Sequence, residues 1–305
     1  MPKNKIFIVA FIAMMLVGTV FGCGSNETAS LPLTSNSPAA TTSAPATTPA
    51  PSTTVPPATT PAPDAILKLV NSASASLNTF EGTMQTSMSM NIAGMDLKLD
   101  MTGTMTVDKP GKKLVTVITG SASGMGQSAP VSEQLYLIND TMYMKGNEQG
   151  SGLDPNTWYK QVLSGTDLSA MWTSQDVTGQ IQILLDSAAL QIIGTENING
   201  VPCYKLKINP NLNSFMNYLS ASGNDIADAG ITNPAQAFKQ LDVSIWVNQA
   251  NYMPAKMDMA ISIAVDSQAQ SMNVTMTMSQ TFNKVNQQVT ITLPAAAQGA
   301  VTMPS

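Results

Sequence analysis

Met84, Met88, Met90 and Ile92 alternate with Gln85, Ser87, Ser89 and Asn91, so one side of this stretch is apolar and the other polar. A period of two places every apolar side chain on one face of a strand, which a helix of the same sequence could not do. After a break at Ala93-Gly94 the pattern resumes in Met95, Leu97, Leu99, Met101, Met105 and Val107, interleaved with Asp96, Lys98, Asp100, Thr102, Thr104 and Thr106. The pair predicts a long antiparallel hairpin. Two further runs repeat the pattern near the C-terminus: Met257, Met259, Ile261, Ile263 and Val265, then Met272, Val274, Met276, Met278 and Phe282. Weaker strands are expected at Leu114 to Thr119, Glu133 to Ile138, Thr141 to Lys145, Tyr204 to Ile208 and Val243 to Val247, with Asn139-Asp140 and Asn199-Gly200 as turns. The expected fold class is α+β, mostly β: a large, mainly antiparallel sheet. One apolar face needs a cover, and short helices over its concave side would supply it.

Helical spacing is weaker. Ala65, Ile66, Leu69, Val70, Ala73 and Leu77 follow Asp64, which has the chemistry of an N-cap, and predict a helix that opens the domain. Others are expected over Val177 to Leu190 and Leu212 to Leu219. Gly120, Gly124 and Gly126 fall between strand-like runs without a following Lys-Thr or helix, so they read as a flexible loop and not as a phosphate cradle.

The N-terminus has a separate logic. Lys3 and Lys5 precede an apolar run from Ile6 to Val17, too short for the roughly 20 apolar residues of a bilayer-spanning helix and right for an export signal. The run ends in Val20-Phe21-Gly22-Cys23, which resembles the bacterial lipobox, although Phe21 stands where a small residue is usual. Gly22 directly before Cys23 argues against an ordinary secretory peptide. Residues 1–22 are therefore expected to be removed and Cys23 to be acylated as the mature N-terminus. Residues 23–63 then form a spacer. From Ser25 to Pro63 the chain is mostly Ser, Thr, Ala and Pro without apolar period, a composition that cannot offset the entropy of ordering. A single domain over 64–294 and a flexible tail over 295–305 complete the expected organisation.

Composition narrows the function classes. The formal charge of −5 becomes −7 once Lys3 and Lys5 leave with the signal, and no long basic run remains, which argues against nucleic acid as a partner. The chain has no histidine, so the commonest general base, nucleophile pairs and metal ligand are missing. Its Asp and Glu residues are scattered over turns and outward strand positions, which fits solvated surface better than an acid and base pair. With Cys23 acylated, Cys203 has no partner for a disulfide and reads as a small buried hydrophobe. No cofactor, catalytic group or metal set is expected.

Several shape motifs resemble the bacterial lipoproteins of the LolA and LppX/LprG type, and a related group of Gram-positive lipoproteins of unknown function. An opening helix leads into Thr79-Phe80-Glu81-Gly82 and long alternating strands, and Leu135-Tyr136-Leu137 and Met142-Tyr143-Met144 precede Trp158-Tyr159-Lys160. Then come Val201-Pro202-Cys203-Tyr204-Lys205-Leu206 and Val243-Ser244-Ile245-Trp246-Val247. Asn251-Tyr252-Met253-Pro254-Ala255-Lys256 leads into the last two long strands, and Val289-Thr290-Ile291-Thr292-Leu293-Pro294 closes the domain. The resemblance implies a curved, incomplete half-barrel with helices over its concave face, which holds the acyl chains of a lipid or lipoprotein, and it brings no catalytic residue.

The 21 methionines bear on that expectation. Thioether side chains adapt to irregular partners, so a Met-rich apolar face suits a flexible acyl chain, but a methionine stripe also serves as ordinary core. Met88, Met90, Met101, Met259 and Met276, mid-strand on the apolar side, are the candidate ligand-lining residues. Trp158, Trp172 and Trp246 could rim a cavity, though structural burial is the usual role of such residues. The expected function is that of a lipoprotein anchored through Cys23 on the extracytoplasmic face of the cell membrane, binding a lipid or other lipophile without catalysis. A sensor or protein-interaction lipoprotein on the same fold is the alternative.

Overall fold

The computed structural model describes residues 62–303 except 93, 125, 147–153, 164, 166, 167, 169–188, 214–233 and 267–270. The signal, Cys23, nearly all of the spacer, Trp172 and most of the two later predicted helices lie outside the described residues.

The period-two runs form the long strands β1 (Thr79–Ile92), β2 (Met95–Asp108), β10 (Pro254–Asp266) and β11 (Ser271–Asn283). Between them lie β3 (Lys113–Gly124), β4 (Gln127–Ile138), β5 (Thr141–Gly146), β6 (Tyr159–Val162), β7 (Ala189–Ile198), β8 (Val201–Asn209) and β9 (Phe238–Asn248), with β12 (Val301–Thr302) at the end. All twelve belong to one open sheet in the order β12-β6-β5-β4-β3-β2-β1-β11-β10-β9-β8-β7. Pairing is antiparallel except between β12 and β6. The predicted hairpin is present: β1 and β2 pair from Thr79↔Asp108 to Ile92↔Met95, with Gly94 at φ +83° in the turn. The first long strand also pairs with the last one, β11, so the two halves of the chain meet at the sheet's centre.

Alternation sorts the two faces. The inner face carries the buried core from β5 to β8, packed with Ile66 and Val70 of the helix α1 (Pro63–Ala75) and with Leu77 just after it. The helix starts two residues earlier than the sequence suggests. Ala62 is its N-cap, Pro63 occupies the first turn with its fixed φ, and Asp64 lies inside that turn, where its charge favours the helix N-terminus.

The expected glycine loop is corrected. Gly120 and Gly124 are strand residues of β3, and only Gly126, at φ +76°, belongs to the turn. On the inner face a Cβ at Gly120 would sit 2.1 Å from the Asp100 carbonyl oxygen, and one at Gly103 would sit 2.8 Å from that of Val117. Missing side chains let neighbouring backbones close up and bend the sheet toward that face. The expected flexible tail is corrected too. Residues Ala295–Gly299 form a 3-10 turn, β12 pairs with β6, and Ala297 and Ala300 pack against Trp158. The end of the helix predicted up to Leu190 is strand, since β7 begins at Ala189. Leu212 and Asn213 are helical, and the rest of that prediction lies outside the described residues.

Candidate functional site

The five candidate methionines come together on the inner face of four adjacent strands. Met88 stands opposite Met276, Met90 opposite Val274, Met101 opposite Thr86, and Met259 opposite Met278. All five are buried and belong to one core cluster. Met84, Met105, Met257, Met272 and Met278 of the same alternating runs are buried on this face too and were not among the candidates. Around them, side-chain chemistry and not burial separates the centre from β3, β4, β8 and β9: the methionines of β1, β2, β10 and β11 are buried like Leu114, Ile118 and Leu137 on β3 and β4 and Leu206, Val243 and Ile245 on β8 and β9, which are branched.

Among the described residues the buried polar side chains are Ser74, Thr86, Thr116, Glu133 and Gln280, and no lysine is among them. The Oγ atoms of Ser74, Thr86 and Thr116 are buried without a hydrogen-bond partner. Thr86 was also missed in the sequence, where it is the one interruption of the apolar series from Met84 to Ile92. Such a hydroxyl in a core costs free energy unless something else bonds it.

The outer face is chemically different. A shallow trough of about 430 Å³ crosses its centre, lined by Gln85, Ser87, Thr277, Ser279, Asp258 and Asp242 among others. The Lys207 ammonium, then the Gln240 amide, hold the Asp242 carboxyl below its usual range. Asp258 is bonded by Lys256 Nζ at 2.8 Å and by Ser279 Oγ at 2.7 Å. Each carboxylate there already has a donor. Neither described tryptophan lines the inner face. Trp158 packs outward with Tyr136, Tyr143 and the C-terminal turn, and Trp246 with Cys203 and Ala255. Lys256 and Lys205 place their Nζ atoms 4.5 and 4.7 Å from the Trp246 ring centroid, and Trp246 Nε1 donates to Glu196 Oε2 at 2.8 Å. Burial raises the Cys203 thiol pKa.

The described residues form a one-sided open sheet with an apolar inner face, and among them no group of His, Cys, Asp and Glu side chains could hold a metal ion. The chain belongs to a family of unknown function (DUF6612), whose model matches residues 62–301. No curated protein matches it. Solved structures similar to the chain include LprF from Mycobacterium bovis, at 13 % identity over 77 % of this chain and 99 % of that one, with a TM-score of 0.43. LppX from Mycobacterium tuberculosis has 16 % identity over 76 % and 100 %, with a TM-score of 0.34. A LolA superfamily protein from Nitrosomonas europaea has 11 % identity over 75 % and 94 %, with a TM-score of 0.21. These are the types that the sequence motifs resemble. What the inner face does is argued below from this chain's own residues.

Proposed function

We propose that the chain is a membrane-anchored extracytoplasmic lipoprotein, tethered through Cys23 and the spacer of residues 23–63, that holds an acyl lipid on its Met-rich inner face without catalysis. The observation that carries this reading is the contrast on that face. A core selected only for stability gains most from branched, well-fixed side chains, which predominate on the inner face of β3, β4, β8 and β9. The centre instead collects unbranched thioethers, which repack around a variable occupant at small cost. Met88, Met90, Met101, Met259 and Met276 would line the acyl chain. No nucleic acid, metal or cofactor enters the proposal.

The test is native mass spectrometry of the mature chain bearing Cys23→Ser, followed by extraction and titration with a fluorescent fatty acid. Co-purifying acyl lipid, or saturable probe binding after extraction, is the expected result. An empty protein that binds no probe but retains a dedicated protein partner would overturn the lipid reading in favour of an interaction lipoprotein.

A further inference from the structure

Thr86 occupies an unusual position on the inner face. Its neighbours two residues away on β1 are Met84 and Met88, its partner on β2 is Met101, and its partner on β11 is Met278. Directly opposite side chains have Cβ atoms about 4.5 to 5.5 Å apart, and those two residues along a strand are about 7 Å apart, so four thioethers flank the hydroxyl, with the buried Gln280, opposite Met84, on the diagonal. Thr86 is 2 % exposed and its Oγ1 has no partner. Pairing on both sides commits the β1 backbone to its ladders, and the methionine sulfurs are weak acceptors. A water beside Oγ1 would find the Gln280 amide as its one other side-chain partner among these neighbours, and a buried water needs about two to four.

We propose that Thr86 Oγ1 anchors an uncharged ester or hydroxyl group of the acyl lipid, a deepening that rests on the proposed function. The ligand's hydrocarbon lies on Met84, Met88, Met101 and Met278, and its ester carbonyl accepts a hydrogen bond from the threonine hydroxyl, or its hydroxyl bonds in either direction. The absence of a buried lysine among the described residues sets the ligand class at this point. A phosphate here would meet the Thr86 hydroxyl and the Gln280 amide but no cation to pair its charge, at a cost that disfavours it, whereas an ester needs only one donor. The anchored group therefore belongs to a neutral acyl ester or alcohol, and any charged head would remain outside this cluster of methionines.

The experiment uses the full mature chain with Cys23→Ser, extracted of lipid, and measures displacement of a fluorescent fatty acid by monooleoylglycerol and by heptadecane. In the parent, monooleoylglycerol should displace more strongly than heptadecane. Thr86→Val keeps the shape and removes the hydroxyl, so it should weaken monooleoylglycerol about fivefold to tenfold, the worth of one buried hydrogen bond, and leave heptadecane unchanged. Thr86→Ser should restore the ester preference. The melting temperature of the extracted Val variant should equal or exceed that of the parent, because nothing bonds the hydroxyl in the empty protein. Equal displacement by both ligands in the parent, an undiminished ester preference in Thr86→Val, or a fall in melting temperature on that change would each overturn the anchor while leaving the lipid reading intact. Failure of the parent to bind the fatty acid at all would overturn both.

Discussion

The centre and the flanks of this sheet bury apolar residues by different means. On the flanks, branched aliphatics predominate on the inner face of β3, β4, β8 and β9, and each flank is also pinned from outside: Trp158 with the C-terminal turn on one, Trp246 with Cys203 and Ala255 on the other. At the centre, β2, β1 and β11 pair methionines inside with serine, threonine and glutamine outside, and a trough crosses the outer surface. Hydrogen bonds between hydroxyls, such as Thr83 with Thr281 at 2.6 Å, add little packing. Regular pairing therefore coexists at the centre with side chains that can rearrange. Rigidity at the margins and adaptability in the middle is what a binding floor requires of a scaffold.

The largest expected effect tests that contrast with one chemistry at two places. Ile245→Gln, on a flank, loses packing and buries an amide without partners, which should cost about 4 kcal/mol or more. Met101→Gln, on the floor, should cost only about 1 to 2 kcal/mol, because a nearly isosteric side chain enters surroundings that can repack. It should also abolish fatty acid binding. Urea unfolding of both variants gives the comparison, and equal losses would mean that the centre is fixed core like the flanks.

The centre was the most legible part of the sequence, for the same physical reason that makes it a coherent face. Strands polar on one side and apolar on the other keep a period of two, and β1, β2, β10 and β11 could be read almost to their ends. β7 was missed because an edge strand with mostly exposed residues need not alternate, and a helical spacing runs into its start. Gly120 and Gly124 looked like loop residues because composition does not say that a bent sheet has no room for a Cβ on its inner side. The buried methionines of the inner face, the proposed lining, were legible in the sequence, but Thr86 was not, since one hydroxyl in an apolar series becomes informative only when its burial and lack of partner are visible.

The C-terminal turn sharpens the claim that the flanks are pinned from outside. Its small residues read as a tail in isolation, but Ala297 and Ala300 close over Trp158, and Val301 N donates to the Trp158 carbonyl at 2.9 Å. Ending the chain at Pro294 should therefore cost about 2 kcal/mol through lost apolar burial and shift tryptophan emission to the red. An unchanged melting curve would make the turn an ornament and leave β6 held by β5 alone.

The smallest expected effect concerns the outer pin of the other flank. The Trp246 indole hydrogen bond, with a further contribution from Lys205, holds the Glu196 carboxyl below its usual range. A lowered native pKa means that the unfolded chain binds the proton more readily. The stabilising contribution is thus complete above the unfolded glutamate value, about 4.3, and is lost as pH falls through the lower native value. Glu196 is half-exposed, so solvent and salt keep the contribution small. Intrinsic fluorescence of the parent should titrate below the ordinary glutamate range as Trp246 loses its charged partner, and Glu196→Gln should remove that phase because its amide oxygen accepts the indole at every pH. The same titration should leave fatty acid binding untouched until global acid unfolding, since none of the methionines ionises. An identical acid phase in Glu196→Gln would mean that Trp246 is held by packing and by the lysines, and that this flank is pinned without the carboxylate.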